Sequence, residues 1–173
     1  RVQDNSICLN VPDVFKIHGI YESNGTDDPE APSMLTASMD GPSSNTTDLI
    51  IGETITGTIS GAKAIYLVRR TDTSINFAYL NSVPFSAGEV ITFSQSGVNA
   101  IATGINLNSK NITKNVVLNK GQRETFYDYS RIVRQGDAAA PSRKIRIYFG
   151  KAIYDSSDTG DITIANSYDQ FEY

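Results

Sequence analysis

Residues suited to nucleophilic or acid–base catalysis are scarce in this sequence. The chain has one histidine, His18, and one cysteine, Cys8, and both fall in runs that alternate as β-strands do. A Cys–His dyad needs the two groups in contact and a third group that orients the base. These two residues are ten positions apart, with Pro12 between them, and no motif supplies the third group. We therefore interpret His18 as a packed or surface strand residue and Cys8 as a small apolar one.

The carboxylates offer a second kind of chemistry, which is cation binding. Asp155, Asp158 and Asp161 are spaced three residues apart around Gly160, and this leaves calcium binding open. The run lacks the twelve-residue calcium loop with its closing glutamate, and aspartates also cap turns through their own backbone. Zinc takes about four Cys, His or acidic ligands, which one cysteine and one histidine do not favour. We predict no metal, no cofactor and no catalysis.

Arginine and tyrosine are concentrated between Leu118 and Phe149. Both residue types are common anchors of protein–protein interfaces, since they bury large areas and still carry polar groups. Arg123 and Arg131 bracket the acids Glu124 and Asp128, which makes forked guanidinium–carboxylate pairs possible. The candidate interaction residues are Arg123, Tyr127, Tyr129, Arg131, Arg134 and Arg146.

The same stretch also contains a basic strip, formed by Arg131, Arg134, Arg143, Lys144 and Arg146. Such a strip could follow phosphates while the tyrosines stack on bases. The chain as a whole has a net charge of −4 and a pI near 4.9, whereas nucleic-acid-binding domains are usually basic. We therefore favour pairing of these arginines with acids of a loop or a neighbouring subunit over binding of nucleic acid.

The composition predicts the elements that position these residues. Serine, threonine, asparagine and glycine are abundant and leucine is scarce, which favours short strands and turns over helices. No run reaches the roughly 18 apolar residues of a membrane span, and no signal-peptide pattern is present. We predict an all-β fold of short antiparallel strands: a small barrel or sandwich, followed by a C-terminal β module.

An internal repeat underlies the first of these modules. Gly52-Glu53-x-Ile55-Thr56 with Ser60-Gly61-x-x-Ala64 returns 36 residues later as Gly88-Glu89-x-Ile91-Thr92 with Ser96-Gly97-x-x-Ala100. Each copy is typical of a hairpin with a Gly-Glu turn, a strand, a Ser-Gly turn and a second strand. One hairpin cannot bury its own apolar face, so two similar hairpins are expected to pack together.

Loop-forming residues suggest three segments. Residues 1–48 hold N-terminal strands and a loop or linker, residues 49–105 hold the repeat, and residues 106–173 form the C-terminal β module. In the last segment, an alternating run predicts a strand with Arg143, Ile145, Ile147 and Phe149 on one face and Lys144, Arg146 and Tyr148 on the other. A further hairpin is predicted around the turn at 155–161. Because the chain begins at Arg1, we interpret it as a fragment of a longer or processed polypeptide.

Residues 118–169 contain the motifs GQRETFYDYSRIVR, AAAPSRKIRIYF and DTGDITIANSYD. This stretch resembles a segment of virion proteins from tailed bacteriophages. Its motifs are similar to those of tail and baseplate-associated proteins of contractile-tailed phages, including marine cyanophages. The match covers the C-terminal third and is looser upstream, and the strand end Phe149-Gly150-Lys151 departs from the aspartate and aromatic residue that the family often has there.

This resemblance implies a place in the virion more than a chemistry. We expect a structural subunit of a tail, baseplate or fibre that binds other phage subunits and that could also form homo-oligomers. The alternative is a receptor- or glycan-binding module at the tail tip, with a host-surface glycan as its ligand. A third hypothesis, a tail-borne glycan hydrolase, requires two facing carboxylates that the sequence does not reveal.

Overall fold

The structure is a computed structural model that describes residues 5–40, 46–123, 126–152 and 170–172. It confirms the all-β prediction. Two short 3₁₀ turns, Thr46–Asp48 and Thr113–Asn115, accompany the strands. The strands are β1 (Ser6–Cys8), β2 (Val14–Glu22), β3 (Ser33–Asp40), β4 (Thr54–Gly57), β5 (Lys63–Thr71), β6 (Ser74–Tyr79), β7 (Val90–Phe93), β8 (Asn99–Asn106), β9 (Lys110–Asn111), β10 (Val116–Asn119), β11 (Gln122–Arg123), β12 (Phe126–Tyr127), β13 (Arg131–Arg134), β14 (Ile145–Lys151) and β15 (Gln170–Glu172).

The chain forms two compact units. Residues Glu30–Ser109 make the first, here called the barrel unit, and the segments Arg1–Pro29 and Lys110–Tyr173 together make the second, the split unit. The barrel unit is therefore wider than the repeat segment predicted at 49–105. It includes β3, which pairs with both β6 and β8, so that residues assigned to the N-terminal segment complete the barrel.

The barrel unit is a closed six-stranded antiparallel barrel with the strand order β3-β6-β5-β4-β7-β8. Alternate residues of each strand point into it, and the two hairpins of the repeat, β4–β5 and β7–β8, are present as predicted. The Ser-Gly turns carry their glycines, Gly61 and Gly97, at the same left-handed φ of 69°. The core residues are Met34, Leu49, Ile55, Ala62, Ala64, Tyr66, Ile75, Phe77, Phe85, Ile91, Phe93, Val98, Ala100 and Ala102.

The strand registers give the barrel an internal twofold relation. Thr56 pairs with Thr92 in the middle of the β4–β7 contact, and these two residues hold the same place in the two copies. Across the barrel, Met34 pairs with Ile75 in the middle of the β3–β6 contact. The three strands β3–β4–β5 therefore correspond to β6–β7–β8, and β3 is the counterpart of β6.

The split unit joins strands that are far apart in sequence. Its four-stranded sheet has the order β15-β14-β2-β9, a three-stranded sheet has the order β1-β13-β10, and β11 and β12 form a separate hairpin. Its apolar cluster centres on Ile20, Ile112 and Ile132, against which Ile145 and Ile147 of β14 also pack. Strand β13, at the centre of the three-stranded sheet, contributes Ile132 to this cluster.

The end of β14 departs from simple alternation. The register with β2 shifts between Tyr148 and Phe149, and both side chains are buried. Gly150 follows, and a Cβ there would lie 2.6 Å from the ring of Phe15, so a side chain at position 150 would displace this ring. The hairpin predicted around 155–161 lies outside the described residues.

Candidate functional site

The structure brings together two of the predicted interaction residues. Arg123 of β11 and Arg131 of β13 line one cleft of about 310 Å³ in the split unit. The other two predicted arginines do not join them. Arg134 lines a separate cavity of about 20 Å³ and donates a hydrogen bond to Asn5 Oδ1. Arg146, on β14, lies opposite Tyr21 of β2. Described residues that line the cleft are Ser6, Asn119, Gly121, Arg123, Asp128 and Arg131.

The predicted tyrosines take different places. Tyr129 is about half exposed, and its backbone N–H donates to Asp128 Oδ1 at 2.7 Å. The backbone of Tyr127 pairs with Gln122 in the β11–β12 hairpin, while its side chain lies outside the described part of the structure. The aspartates Asp155, Asp158 and Asp161 also lie outside it, so calcium binding there stays a hypothesis.

Strand pairing explains the position of Arg131. It is the Cα partner of Cys8 on β1 and of Asn119 on β10, so it lies in the middle of a three-stranded sheet. Its guanidinium contacts Asp128 Oδ2 at 3.2 Å through one nitrogen, Nη2, so this pair is present as a single contact and not as a fork. Arg123, in contrast, is exposed and has no hydrogen bond or ion pair with any residue in the described ranges.

Much of the basic strip contacts oxygen atoms of its own chain. Lys144 pairs with Asp28 at 2.9 Å, and the Arg143 guanidinium donates to the carbonyl of Asn24. Arg131 pairs with Asp128, as described above. Such contacts reduce the positive charge that a phosphate backbone could meet along this strip.

His18, the only histidine, lies on β2 and is partly buried. Burial, reinforced by the charge of Lys16, lowers its pKa from 6.5 to about 4. It is therefore neutral near pH 7.

Among the described residues, no group of three or more His, Cys, Asp or Glu side chains could hold a metal ion. Nor does any helix of the described ranges have the length and apolar character of a membrane span.

The repeat glutamates form the most heavily hydrogen-bonded carboxylates of the barrel unit. Glu89 Oε2 accepts from the backbone N–H groups of Ile59 and Ser60 at 3.1 and 2.9 Å, and its Oε1 accepts from the Ser60 hydroxyl at 2.8 Å. Oε1 also accepts from the N–H of Ser86 at 2.6 Å. Each glutamate therefore fastens the Ser-Gly turn of the other copy, and we call these contacts the carboxylate clasps.

Glu53 makes the same contacts in the opposite direction. Its Oε2 accepts from the N–H groups of Gln95 and Ser96, both at 2.9 Å, and its Oε1 accepts from the N–H of Ile50 at 2.9 Å. Both glutamates are fully buried. Burial alone would raise the pKa of Glu89, but the donors from Ser60, Ser86 and Ile59 together outweigh it and lower the pKa. The sequence showed the Gly-Glu motif but not the role of its carboxylate.

A third buried carboxylate, Glu22, holds a turn of the split unit. Its Oε1 accepts from the N–H groups of Ser142 at 2.6 Å and Arg143 at 3.1 Å. Burial would raise its pKa, but these amides, the Ser142 hydroxyl and the charge of Lys110 together lower it. Glu22 thus accepts hydrogen bonds from the backbone of the turn after Pro141, as the clasp glutamates do from the turns of the barrel.

We expect the protein to lose stability in two stages as the pH falls. In the unfolded chain His18 takes up a proton near pH 6.5, and in the folded chain only near pH 4. Its contribution to the stability of the fold is therefore lost as the pH falls from 6.5 to 4. Glu22 and Glu89 have lowered pKa values, so their contributions are complete above pH 4.5 and are lost below it. Urea unfolding from about pH 7.5 to about pH 3 measures both stages. His18→Gln should remove the first stage, and a flat stability between pH 6.5 and pH 5 would contradict it.

The outer surface of the barrel carries an apolar row that crosses three strands. Val90 of β7 pairs with Ile101 of β8, and Ile101 pairs with Ala37 of β3. Their strand neighbours Ile91, Ala100 and Ala102 are in the core, so these three side chains point outwards. Leu35 lies two residues before Ala37 on the same face, and Ile59 lies beside Val90, since Thr58 N–H donates to the Val90 carbonyl at 3.0 Å. We call these residues, Leu35, Ala37, Ile59, Val90 and Ile101, the outer apolar row.

Sequence reasoning missed this row. Two signals could have found it, namely the alternation within each strand and a comparison of the two copies. At the positions equivalent to Ile59 and Val90, the other copy has Gln95 and Thr54.

Comparison of the chain with protein-family models, with curated proteins and with solved structures found no match.

Proposed function

We propose that this chain is a structural subunit of a phage virion, in the tail, baseplate or a fibre, that binds other subunits and has no catalytic role. The place in the virion is supported by the resemblance of residues 118–169 to tail and baseplate-associated proteins. The mode of action is supported by the outer apolar row of the barrel, which is the observation that carries the proposal.

The internal twofold relation makes this row informative. The equivalents of Val90, Ile101 and Ala37 in the other half are Thr54, Ile65 and Ala78, which pair across β4, β5 and β6 in the same way. There, the outward-facing Ile65 is only 7% exposed and Ala78 is buried, whereas their equivalents Ile101 and Ala37 are partly exposed and exposed, and Val90 is 42% exposed. The same outer face of the barrel is thus covered in one half and open in the other. A protein partner with an apolar surface would cover the open half.

The barrel architecture also limits how a partner can bind. A closed barrel offers no free strand edge, so a partner cannot extend its sheet and must contact side chains. Ile59, at 79% exposure, is the most exposed large apolar residue of the described ranges. Burying such a side chain completely stabilises a complex by roughly 1.5–3 kcal/mol. A few such residues together provide a protein-binding anchor.

The test replaces two residues of the row with those of the other copy. We expect Ile59→Gln combined with Val90→Thr to change the free energy of unfolding by no more than about 1 kcal/mol, since both side chains are exposed. We expect the same change to weaken association at least about tenfold. Association is measured by sedimentation velocity of the protein alone, and by co-elution after co-expression with the products of the genes that flank its own.

The matched control is Val117→Thr, which alters an exposed valine of the split unit. It should leave association unchanged. Mass spectrometry of purified virions tests the location separately. The assembly proposal fails if the wild-type chain is monomeric and co-elutes with none of these proteins, or if the double variant associates as the wild type does. Absence of the chain from purified virions would contradict the proposed location.

A further inference from the structure

The cleft between Arg123 and Arg131 carries an inference independent of assembly, because it lies in the split unit and not on the barrel. Its volume of about 310 Å³ is at the lower end of the range for small-molecule sites. Its described lining is polar, with two guanidinium groups, one carboxylate, the Asn119 amide and the Ser6 hydroxyl. A cleft of this size holds a molecule of one or two sugar rings and is too small for a protein surface.

The backbone fixes the floor of this cleft. Gly121 has φ +78°, and a Cβ there would lie 2.3 Å from the Asp128 carbonyl oxygen and 2.6 Å from that of Tyr129. The Asp128 N–H donates to the Gly121 carbonyl, and the Gly121 N–H donates to Asn119 Oδ1 at 3.0 Å. Asn119, Gly121 and Asp128 are therefore held in one small hydrogen-bonded group, which positions the cleft without a ligand.

The charges of the cleft select its ligand. Asp128 already contacts Arg131 through Oδ2 and the Tyr129 N–H through Oδ1, so it orients Arg131 and compensates one positive charge. Arg123 has no such partner in the described ranges, which leaves one positive charge among the lining residues. A guanidinium fork fits carboxylates and phosphates, but a doubly charged phosphate would be repelled by Asp128. A ligand with a single carboxylate matches the net charge of the described lining residues.

We infer that this cleft binds a small acidic sugar of the uronic or sialic acid class. Arg123 and Arg131 bind its carboxylate, while Asn119 and Ser6 hydrogen-bond to its hydroxyl groups. The carboxylate supplies an anionic partner for Arg123, which has none among the described residues, and the hydroxyl groups match the remaining polar lining. This assigns a ligand class to the split unit and gives the chain a means of contacting an acidic glycan.

Titration of the whole chain with defined probes tests this inference. Sodium glucuronate and N-acetylneuraminate are the test ligands, and glucose, acetate and inorganic phosphate are the comparison ligands, each followed by calorimetry and by amide chemical shifts. We expect at least one acidic sugar to bind at least about tenfold more tightly than glucose and acetate, because it uses both the arginines and the hydroxyl-binding groups. Shift changes should centre on Ser6, Asn119 and Arg131.

Variants of Arg123 show whether this site is responsible. Arg123→Gln should weaken binding of the acidic sugar about tenfold or more, and Arg123→Lys should restore only part of it, because lysine keeps the charge without the fork. Arg70→Gln removes an equal charge from the barrel unit and should have no effect. Since Arg123 is exposed, its variants should melt as the wild type does.

Four results would overturn the inference: no binding of either acidic sugar, acetate binding as tightly, phosphate binding more tightly, or full binding by Arg123→Gln. None of them bears on association through the outer apolar row. Conversely, an Ile59→Gln and Val90→Thr protein that no longer associates should still bind the acidic sugar.

Discussion

Glu89→Ala is expected to destabilise the barrel unit by about 4 kcal/mol, a large part of the stability of a domain of this size. The substitution removes the acceptor of three backbone N–H groups, those of Ile59, Ser60 and Ser86, and of the Ser60 hydroxyl. Each buried donor left without an acceptor costs about 1–3 kcal/mol. Water that enters the turn would recover part of this cost, so we expect less than the full sum.

Urea unfolding at neutral pH measures this effect against two reference variants. Glu89→Gln keeps the shape and one oxygen acceptor but loses the charge, so it should cost about half as much. Glu30→Gln removes a partly exposed carboxylate of the same unit, which pairs with Arg70 at 3.0 Å, and should cost less than about 0.5 kcal/mol. Glu53→Ala should match Glu89→Ala, because its contacts are the copy-related ones. A loss below about 1 kcal/mol for both alanine variants would show that the clasps do not hold the barrel together.

The clasps also illustrate what the sequence could and could not predict. The hairpins were predictable because Gly52-Glu53 and Ser60-Gly61 are local turn signals, and the left-handed glycines follow from local sterics. The hydrogen-bond partners of each carboxylate were not predictable. Glu53 bonds to Ser96 and Glu89 to Ser60 only because β4 and β7 lie side by side, and that register is a long-range property of the closed barrel.

The same reason explains the differences in domain boundaries. β2 and β14 pair across more than a hundred residues, with Glu22 opposite Ile145, and no local pattern specifies such a partner. β3 lies in the segment 1–48, which was predicted to hold N-terminal strands and a loop or linker, but its place between β6 and β8 depends on barrel closure. Strand type follows from alternation and residue propensity, whereas partner choice requires the whole set of strands.

The Arg-Tyr stretch shows the same limit at a candidate site. Its composition indicated an interaction region in which arginine–carboxylate pairs were possible, and Arg131 with Asp128 is one such pair. The arrangement of Arg123 beside Arg131 depends on the Gly121 turn and on the pairing of Arg131 with Asn119. Residues close in sequence, such as Arg134, therefore lie elsewhere. Of the six predicted interaction residues, the described lining of the cleft contains two, Arg123 and Arg131.

Gly57→Ala is the second substitution from which we expect a large effect, about 3 kcal/mol of destabilisation. A Cβ at Gly57 would lie 2.7 and 2.8 Å from the two carboxylate oxygens of Glu89 and 2.6 Å from Ser60 Oγ. Its backbone is outside the left-handed region, so the cost arises from this collision. Gly97→Ala provides the contrast: it has open space around it but φ +69°, and should cost only about 1–2 kcal/mol.

A double-mutant cycle separates this collision from general damage to strand β4. Once Glu89→Ala has removed the carboxylate, the methyl group of Gly57→Ala has room, apart from the Ser60 hydroxyl, which can rotate. The double variant should therefore be more stable than the sum of the two single losses predicts, by about 1–2 kcal/mol. Glu89→Ala combined with Gly97→Ala should be additive, because a Cβ added at Gly97 would meet no atom within 4 Å beyond its chain neighbours. If the losses from Gly57→Ala and Glu89→Ala were simply additive, the methyl group would be acting on the strand itself and the clasp would not be the feature that requires glycine at position 57.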